Sequence, residues 1–109
     1  MTQQNPNFRF GGIQRLYGAG GFQRISDSHI CVVGIGGVGT WAADALARSG
    51  VGHITLVDAD EVCITNINRQ IHALDETIGH SKVRTMAERI RAINPQIKLT
   101  LKDTFYTES

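Results

Sequence analysis

Ile30-Cys31-Val32-Val33-Gly34-Ile35-Gly36-Gly37-Val38-Gly39 is the stretch that decides the fold. Four apolar residues, three of them β-branched, stop at a glycine and read as a strand buried on both faces. The glycines match G-x-G-x-x-G directly after that strand and directly before a helical pattern, the context that gives this short motif its weight. Gly34 suits a tight turn, Gly36 a close approach of backbone to a phosphate, and Gly39 a helix packed close to the sheet. Free N–H groups and the helix dipole at this point attract an anion.

Outward from the glycines, Val38, Trp41, Ala42, Ala45 and Leu46 recur at helical spacing, with Asp44 and Arg48 on the other side and Gly50 as the stop. Trp41 therefore reads as core. Ile54-Thr55-Leu56-Val57 is a second strand that ends at Asp58, and residues 65–70 keep no period, as in a long loop with at most one helical turn. Beyond Gly79, the residues Val83, Met86, Ala87, Ile90 and Ile93 line one face of a helix that Asn94-Pro95 halts, while Arg84, Glu88 and Arg91 line the other. Ile97, Leu99 and Leu101 alternate with Lys98, Thr100 and Lys102, a strand with one wet face whose lysines suit a sheet edge.

The fold class is α/β: a Rossmann-like βαβαβ half of a doubly wound, mostly parallel sheet, preceded by a short helical segment. Residues 1–28 form that N-terminal segment, with its arginines and room for one or two short helices over residues 13–25, and residues 29–109 form the half-domain. Right-handed crossovers place the first strand at one edge, the second beside it and the third outermost. An apolar strand at an edge expects a neighbour, from a second half of the domain or from another chain.

Composition narrows the classes. At 109 residues, 41% hydrophobic and 19% charged, the chain is globular and holds at most one domain. A net charge of +1 removes whole-chain charge as an argument for nucleic acid or membrane surfaces. No run of apolar residues reaches membrane-spanning length, and the polar start Met1-Thr2-Gln3-Gln4-Asn5-Pro6 lacks the pattern of a signal peptide. Cys31 and Cys63 without a Cys-x-x-Cys exclude a disulfide framework and point to a reducing cytoplasm.

Candidate site residues cluster after the first two strands. Asp58, 19 residues past Gly39, is the expected acidic partner of ribose hydroxyls, with a turn or cap aspartate as the plain alternative. Asp60 points to the same cleft or to solvent. Asn66, Asn68, Arg69 and Gln70 offer amides and a guanidinium that suit a triphosphate, or simply a polar loop. Lys82 follows Ser81, a candidate N-cap, at a helix start where the dipole disfavours a cation unless an external anion is bound. Arg9 and Arg15 stand ahead of the fold as surface charges. His29, His53, His72 and His80 have no i,i+4 pairing and no adjacent carboxylate, so they support neither a metal cluster nor a triad. Cys31 reads as core and Cys63 as a loop residue.

Gly-x-Gly-Gly-Val-Gly, then Asp58-x-Asp60, Asn66-x-Asn68-Arg69-Gln70 and Gly79-x-x-Lys82 resemble the ubiquitin-activating-enzyme-like (ThiF/MoeB-like) family, which includes the molybdopterin and thiamine adenylyltransferases. Arg9-Phe10-Gly11-Gly12, Arg15-Leu16-Tyr17-Gly18, Trp41-Ala42-Ala43 and Asn68-Arg69-Gln70-Ile71-His72-Ala73-Leu74 are most similar to its bacterial tRNA threonylcarbamoyladenosine dehydratase branch. The resemblance implies ATP rather than NAD as the nucleotide, and activation of the threonyl carboxylate of a modified tRNA followed by ring closure. It implies contacts from Gly34, Gly36, Gly37 and Gly39, ribose binding by Asp58, with Asp60 as a lesser candidate, and a grip on the phosphates by Asn66, Asn68, Arg69, Gln70 and Lys82. Arg15, with Arg69 and Lys82, is assigned to the chemistry: an N-terminal arginine reaches the phosphates of the neighbouring subunit in a homodimer, and Arg9 is the second choice. A cysteine-desulfurase or sulfur-acceptor system is a further partner of the family. Its magnesium-binding aspartate follows a fourth strand, so the chain reads as the N-terminal portion of a longer protein. Two other readings share most of these residues: an adenylyltransferase that activates a ubiquitin-like sulfur carrier, and a non-catalytic nucleotide-binding fragment.

Overall fold

A computed structural model describes residues 6–105, with side chains from Phe8 onward. The outer ends of the two expected segments, residues 1–5 and 106–109, lie outside the described residues. Helix α1 (Pro6–Arg9) and helix α2 (Gly11–Ser26), broken at Gly18 where φ is 77°, precede strand β1 (His29–Val33). Helix α3 (Gly37–Arg48), strand β2 (His53–Val57), helix α4 (Lys82–Ile93) and strand β3 (Lys98–Lys102) complete the order. Two short 3-10 turns, Ile64–Asn66 and Asp75–Thr77, lie in the long loop between β2 and α4. The strands are parallel in the order β1-β2-β3, with His29 opposite His53 and His53 opposite Lys98. This is the expected Rossmann-like half, with β1 at an edge.

Both helices that cross between strands pack on one face of the sheet. Ile30 and Val32 of β1, Ile54 and Leu56 of β2, and Leu99 and Leu101 of β3 meet Ala43 and Ala47 of α3 and Val83, Met86, Ala87 and Ile90 of α4 in one cluster. Strand β1 departs from the sequence reading. It was expected to be buried on both faces, yet only Val32 is buried, and Cys31 and Val33 are exposed because no described helix covers their face. Cys31 is thus not a core residue.

Helix α3 departs more sharply. Of the apolar stripe expected to face inward, Leu46 packs against the core, but Trp41 and Val38 face out, 55% and 85% exposed, while Thr40, Ala43, Asp44 and Ala47 are buried. Size explains the choice. A Cβ on Gly39 would lie 1.8 Å from the Gly34 carbonyl oxygen, so the helix meets the strand through its small residues. Asp44 tolerates burial because Arg89 of α4 and Arg48 hold its two oxygens at 2.8 and 2.9 Å. Helix α4 buries the predicted face, and Ser81 caps it by accepting from the Arg84 N–H.

Burial pushes the Asp44 carboxyl up, but the hydrogen bonds from Arg89 and Arg48 outweigh it and hold the group below its ordinary value. A depressed carboxyl contributes stability above its unfolded value and loses it as pH falls through the folded one. Asp44→Asn is expected to lower unfolding free energy in urea by about 1–2 kcal/mol at neutral pH, in line with the loss of a charge-assisted bond. The gap from wild type should close as the solution is acidified.

Candidate functional site

The turn from β1 into α3 carries the glycine motif at the carboxyl end of the sheet. Gly34 has φ 86°, a conformation open mainly to glycine, and its N–H joins the sheet at the Val57 carbonyl, 2.8 Å away. The next groups are held one by one. The Ile35 N–H donates to Asp58 Oδ2 at 2.7 Å, and the Ile35 carbonyl lies 3.1 Å from His72 Nε2. The Gly36 carbonyl accepts from the Thr40 N–H at 3.0 Å and from the Thr40 hydroxyl at 2.6 Å. That hydroxyl accepts in turn from the Ile71 N–H at 3.3 Å. What remains are the N–H groups of Gly36, Gly37, Val38 and Gly39, which have no acceptor among the described residues. Four donors at the start of a helix make an anion cradle.

Asp58 is brought to this loop as expected, and its hydrogen bonds are those of the turn aspartate that the sequence left as the plain alternative. Besides Ile35, it accepts from the Asp60 N–H at 2.7 Å, so its carboxylate first shapes the turn. The chain after β2 then runs antiparallel to the start of α4: the Lys82 N–H donates to the Asp60 carbonyl at 3.0 Å, and the Val62 N–H to the His80 carbonyl at 2.8 Å. Asp60, Cys63, Asn66, Gly79 and Lys82 thereby line one open cleft of about 590 Å³. Lys82 is only 7% exposed and makes no ion pair and no side-chain hydrogen bond among the described residues. Lysine is rarely buried unless paired, so this cation fits an anion from outside the chain.

Arg69 reaches the glycine loop from the other side. Its side-chain carbons lie 3.5–3.6 Å from where a Cβ on Gly37 would stand, and its guanidinium donates to Asn68 Oδ1 at 2.9 Å and to the Thr65 carbonyl at 3.2 Å. Trp41, expected in the core, instead donates its indole N–H to the Arg69 carbonyl at 2.8 Å. Gln70 is buried with Oε1 unpartnered among the described residues, and its amide nitrogen is 3.7 Å from a Cβ built on Gly36. Asn66 is also buried, with Oδ1 occupied by the Cys63 N–H at 2.8 Å, so it shapes the 3-10 turn from within.

The arginines of the N-terminal segment are not part of this assembly. Arg15 on α2 lies beside Gly11 and Gly12 of its own helix, and no hydrogen bond among the described residues ties it to the loops. Arg9 donates to the Ile93 carbonyl at 2.6 Å, at the far end of α4 from Lys82. No group of three or more His, Cys, Asp or Glu side chains among the described residues could hold a metal ion, so these residues do not by themselves make a magnesium site.

Sequence reading missed two histidine arrangements. His29 and His53 stack on the uncovered sheet face at 3.5 Å between ring centroids and bond Thr55 and Thr100. His72 is buried, and burial pushes its imidazole down, as does the charge of Lys82, against the hydrogen bond to Ile35 and the charge of Asp58. Neither arrangement has a local signal, since its partners are 24 to 47 residues away in sequence.

Residues 12–108 match the ThiF family. The chain is 62% identical over 99 residues to the tRNA threonylcarbamoyladenosine dehydratase of Escherichia coli (strain K12), covering 91% of this chain and 37% of that protein. It is 37% identical to ubiquitin-like modifier-activating enzyme 5 of Aedes aegypti, over 91% of this chain and 25% of that one. The crystal structure of the E. coli dehydratase in complex with ATP superposes with a TM-score of 0.91 at 60% identity, over 93% of this chain and 42% of that chain. The chain thus spans about two fifths of the length of the dehydratases it matches. Trp41 is its one tryptophan. A polyphosphate drawn to the Arg69 guanidinium should change tryptophan emission, because the backbone of the same residue holds the indole, and Arg69→Ala, which keeps the carbonyl but removes the guanidinium, should abolish most of that change.

Proposed function

The chain belongs to the ThiF family, and from that premise we propose that it is the ATP-holding part of a tRNA threonylcarbamoyladenosine dehydratase. The observation that carries the nucleotide is the buried Lys82, which has no counter-ion among the described residues, at the same carboxyl end of the sheet as Arg69 and the four N–H groups of the glycine loop that have no acceptor among those residues. The ATP complex of the E. coli dehydratase, at 60% identity, supports the same assignment. Residues 29–109 hold the nucleotide, and residues 1–28 supply arginines.

ATP supplies an electrophilic α-phosphorus: the threonyl carboxylate takes AMP with loss of pyrophosphate, and intramolecular attack at the acyl carbon expels AMP, removing one water in net. A carboxylate approaching a polyphosphate is repelled unless the phosphate charge is neutralised. Lys82 and Arg69 supply that neutralisation, Arg69 with a planar fork already aimed by Asn68 and Thr65. The cradle of Gly36, Gly37, Val38 and Gly39 orients the phosphates through backbone donors that need no reorganisation. Asp58 faces the ribose with the lone pairs its backbone bonds leave free. Magnesium is expected with the nucleotide.

A homodimer fits the outer face of α3, where Val38 and Trp41 form an exposed apolar strip, with Ile67 exposed on the loop between β2 and α4. Arg15 is then the residue offered to the neighbouring subunit's phosphates. A tRNA substrate would place the protein in the cytoplasm, and no helix among the described residues is long and apolar enough to cross a membrane.

Titration calorimetry with ATP and NADH tests the nucleotide: ATP is expected to bind and NADH not, and Lys82→Ala is expected to weaken ATP by about tenfold or more, the worth of one charge-assisted contact. Activation of a ubiquitin-like carrier is the second reading, favoured by the likeness to modifier-activating enzyme 5. This chain alone is expected to show little or no dehydratase activity, so incubation of the full-length enzyme with ATP and each acceptor separates the two. Loss of the mass of one water from the modified nucleoside is expected, whereas an AMP-linked carrier with unchanged tRNA would sink the dehydratase assignment.

A further inference from the structure

We propose that His72 is a positioning residue for the nucleotide phosphates: by holding the Ile35 carbonyl it turns the Gly36 N–H toward the phosphate site. The proposal rests on the ATP-binding reading of the same loop.

In a trans peptide the carbonyl and the following N–H point in opposite directions, so whatever fixes the Ile35 carbonyl also fixes the Gly36 N–H. His72 Nε2 is 3.1 Å from that carbonyl, and the ring is 2% exposed, so the carbonyl faces the protein interior and the Gly36 N–H faces away from it. A carbonyl oxygen only accepts, so Nε2 carries the hydrogen. The neutral ring is then bare at Nδ1, in keeping with Nδ1 being buried without a partner among the described residues.

The neighbouring peptides are held from other elements. Asp58 at the end of β2 takes the Ile35 N–H, and Thr40 of α3 takes the Gly36 carbonyl, which by the same rule aims the Gly37 N–H outward. His72 supplies the remaining hold, from the turn that also carries Arg69 and Gln70. Glycine offers little resistance to a peptide flip, because both signs of φ are open to it, so an external donor must choose the orientation. Without that donor the Ile35 carbonyl is buried and unsatisfied, and a flip would take the Gly36 N–H away from the phosphates.

The test is the affinity of ATP against that of adenosine, measured by calorimetry on wild type, His72→Leu and His72→Gln. His72→Leu is expected to weaken ATP about tenfold and leave adenosine within about twofold. His72→Gln, whose amide N–H reaches the same carbonyl, is expected to recover most of the loss. An unchanged ATP-to-adenosine ratio in His72→Leu, or a glutamine variant no better than the leucine one, would overturn the proposal. A wild-type protein that binds neither ligand would instead overturn the ATP reading beneath it. If His72→Leu does not fold, nitrogen NMR of the wild-type ring decides: the Nε2–H tautomer is expected, and a ring protonated at Nδ1 alone contradicts the proposal.

Discussion

Residue 39 has no room for a side-chain carbon, because the carbonyl oxygen of Gly34 stands 1.8 Å from where that carbon would be. This approach brings the first turn of α3 against the end of β1, and the rest of the site is measured from it. With the helix so close, Thr40 reaches back to the Gly36 carbonyl and forward to the Ile71 N–H, which ties the glycine loop to the segment carrying Arg69, Gln70 and His72. Pushing α3 outward would break the Ile71 bond and carry the donors at its N-terminus away from Arg69, Gln70 and His72.

The same constraint settles which side of α3 meets the sheet. Packing against a strand at this distance admits Ala43 and Ala47 and excludes an indole, so Trp41 and Val38 are left outside. The indole then serves the loop by donating to the Arg69 carbonyl. Asp44 comes to lie between α3 and α4, where two guanidiniums offset its burial and fix the second helix beside the first. Helix α4 in turn presents Lys82 at its first turn, next to Asp60.

The strand order, the glycine turn, the face of α4 and its Ser81 cap were legible because each is written in neighbouring residues: a β-branched run, a fixed glycine spacing, a period of 3.6 and a hydroxyl before a helix. The faces of α3 were not legible, since apolarity marks Trp41 and Val38 whereas the packing distance selects by size. The exposure of β1 escaped for a related reason. An apolar run does not say how many faces are covered, and here the described helices cover one. Spacing and resemblance singled out Asp58, Arg69 and Lys82, and the fold brings all three to the loops at the carboxyl end of the sheet. The roles of His72 and Thr40 were not legible, because a donor to a carbonyl 37 residues away leaves no pattern in the chain.

The central claim is that the backbone from Gly36 to Gly39 is held in place to receive phosphate oxygens. Amide NMR of the labelled protein during titration with ATP, and separately with adenosine, tests it most directly. The account predicts that ATP shifts the Gly36, Gly37 and Val38 amide protons strongly downfield, as charge-assisted hydrogen bonds do, and that adenosine does not. ATP that binds tightly while leaving those amides unmoved would contradict it.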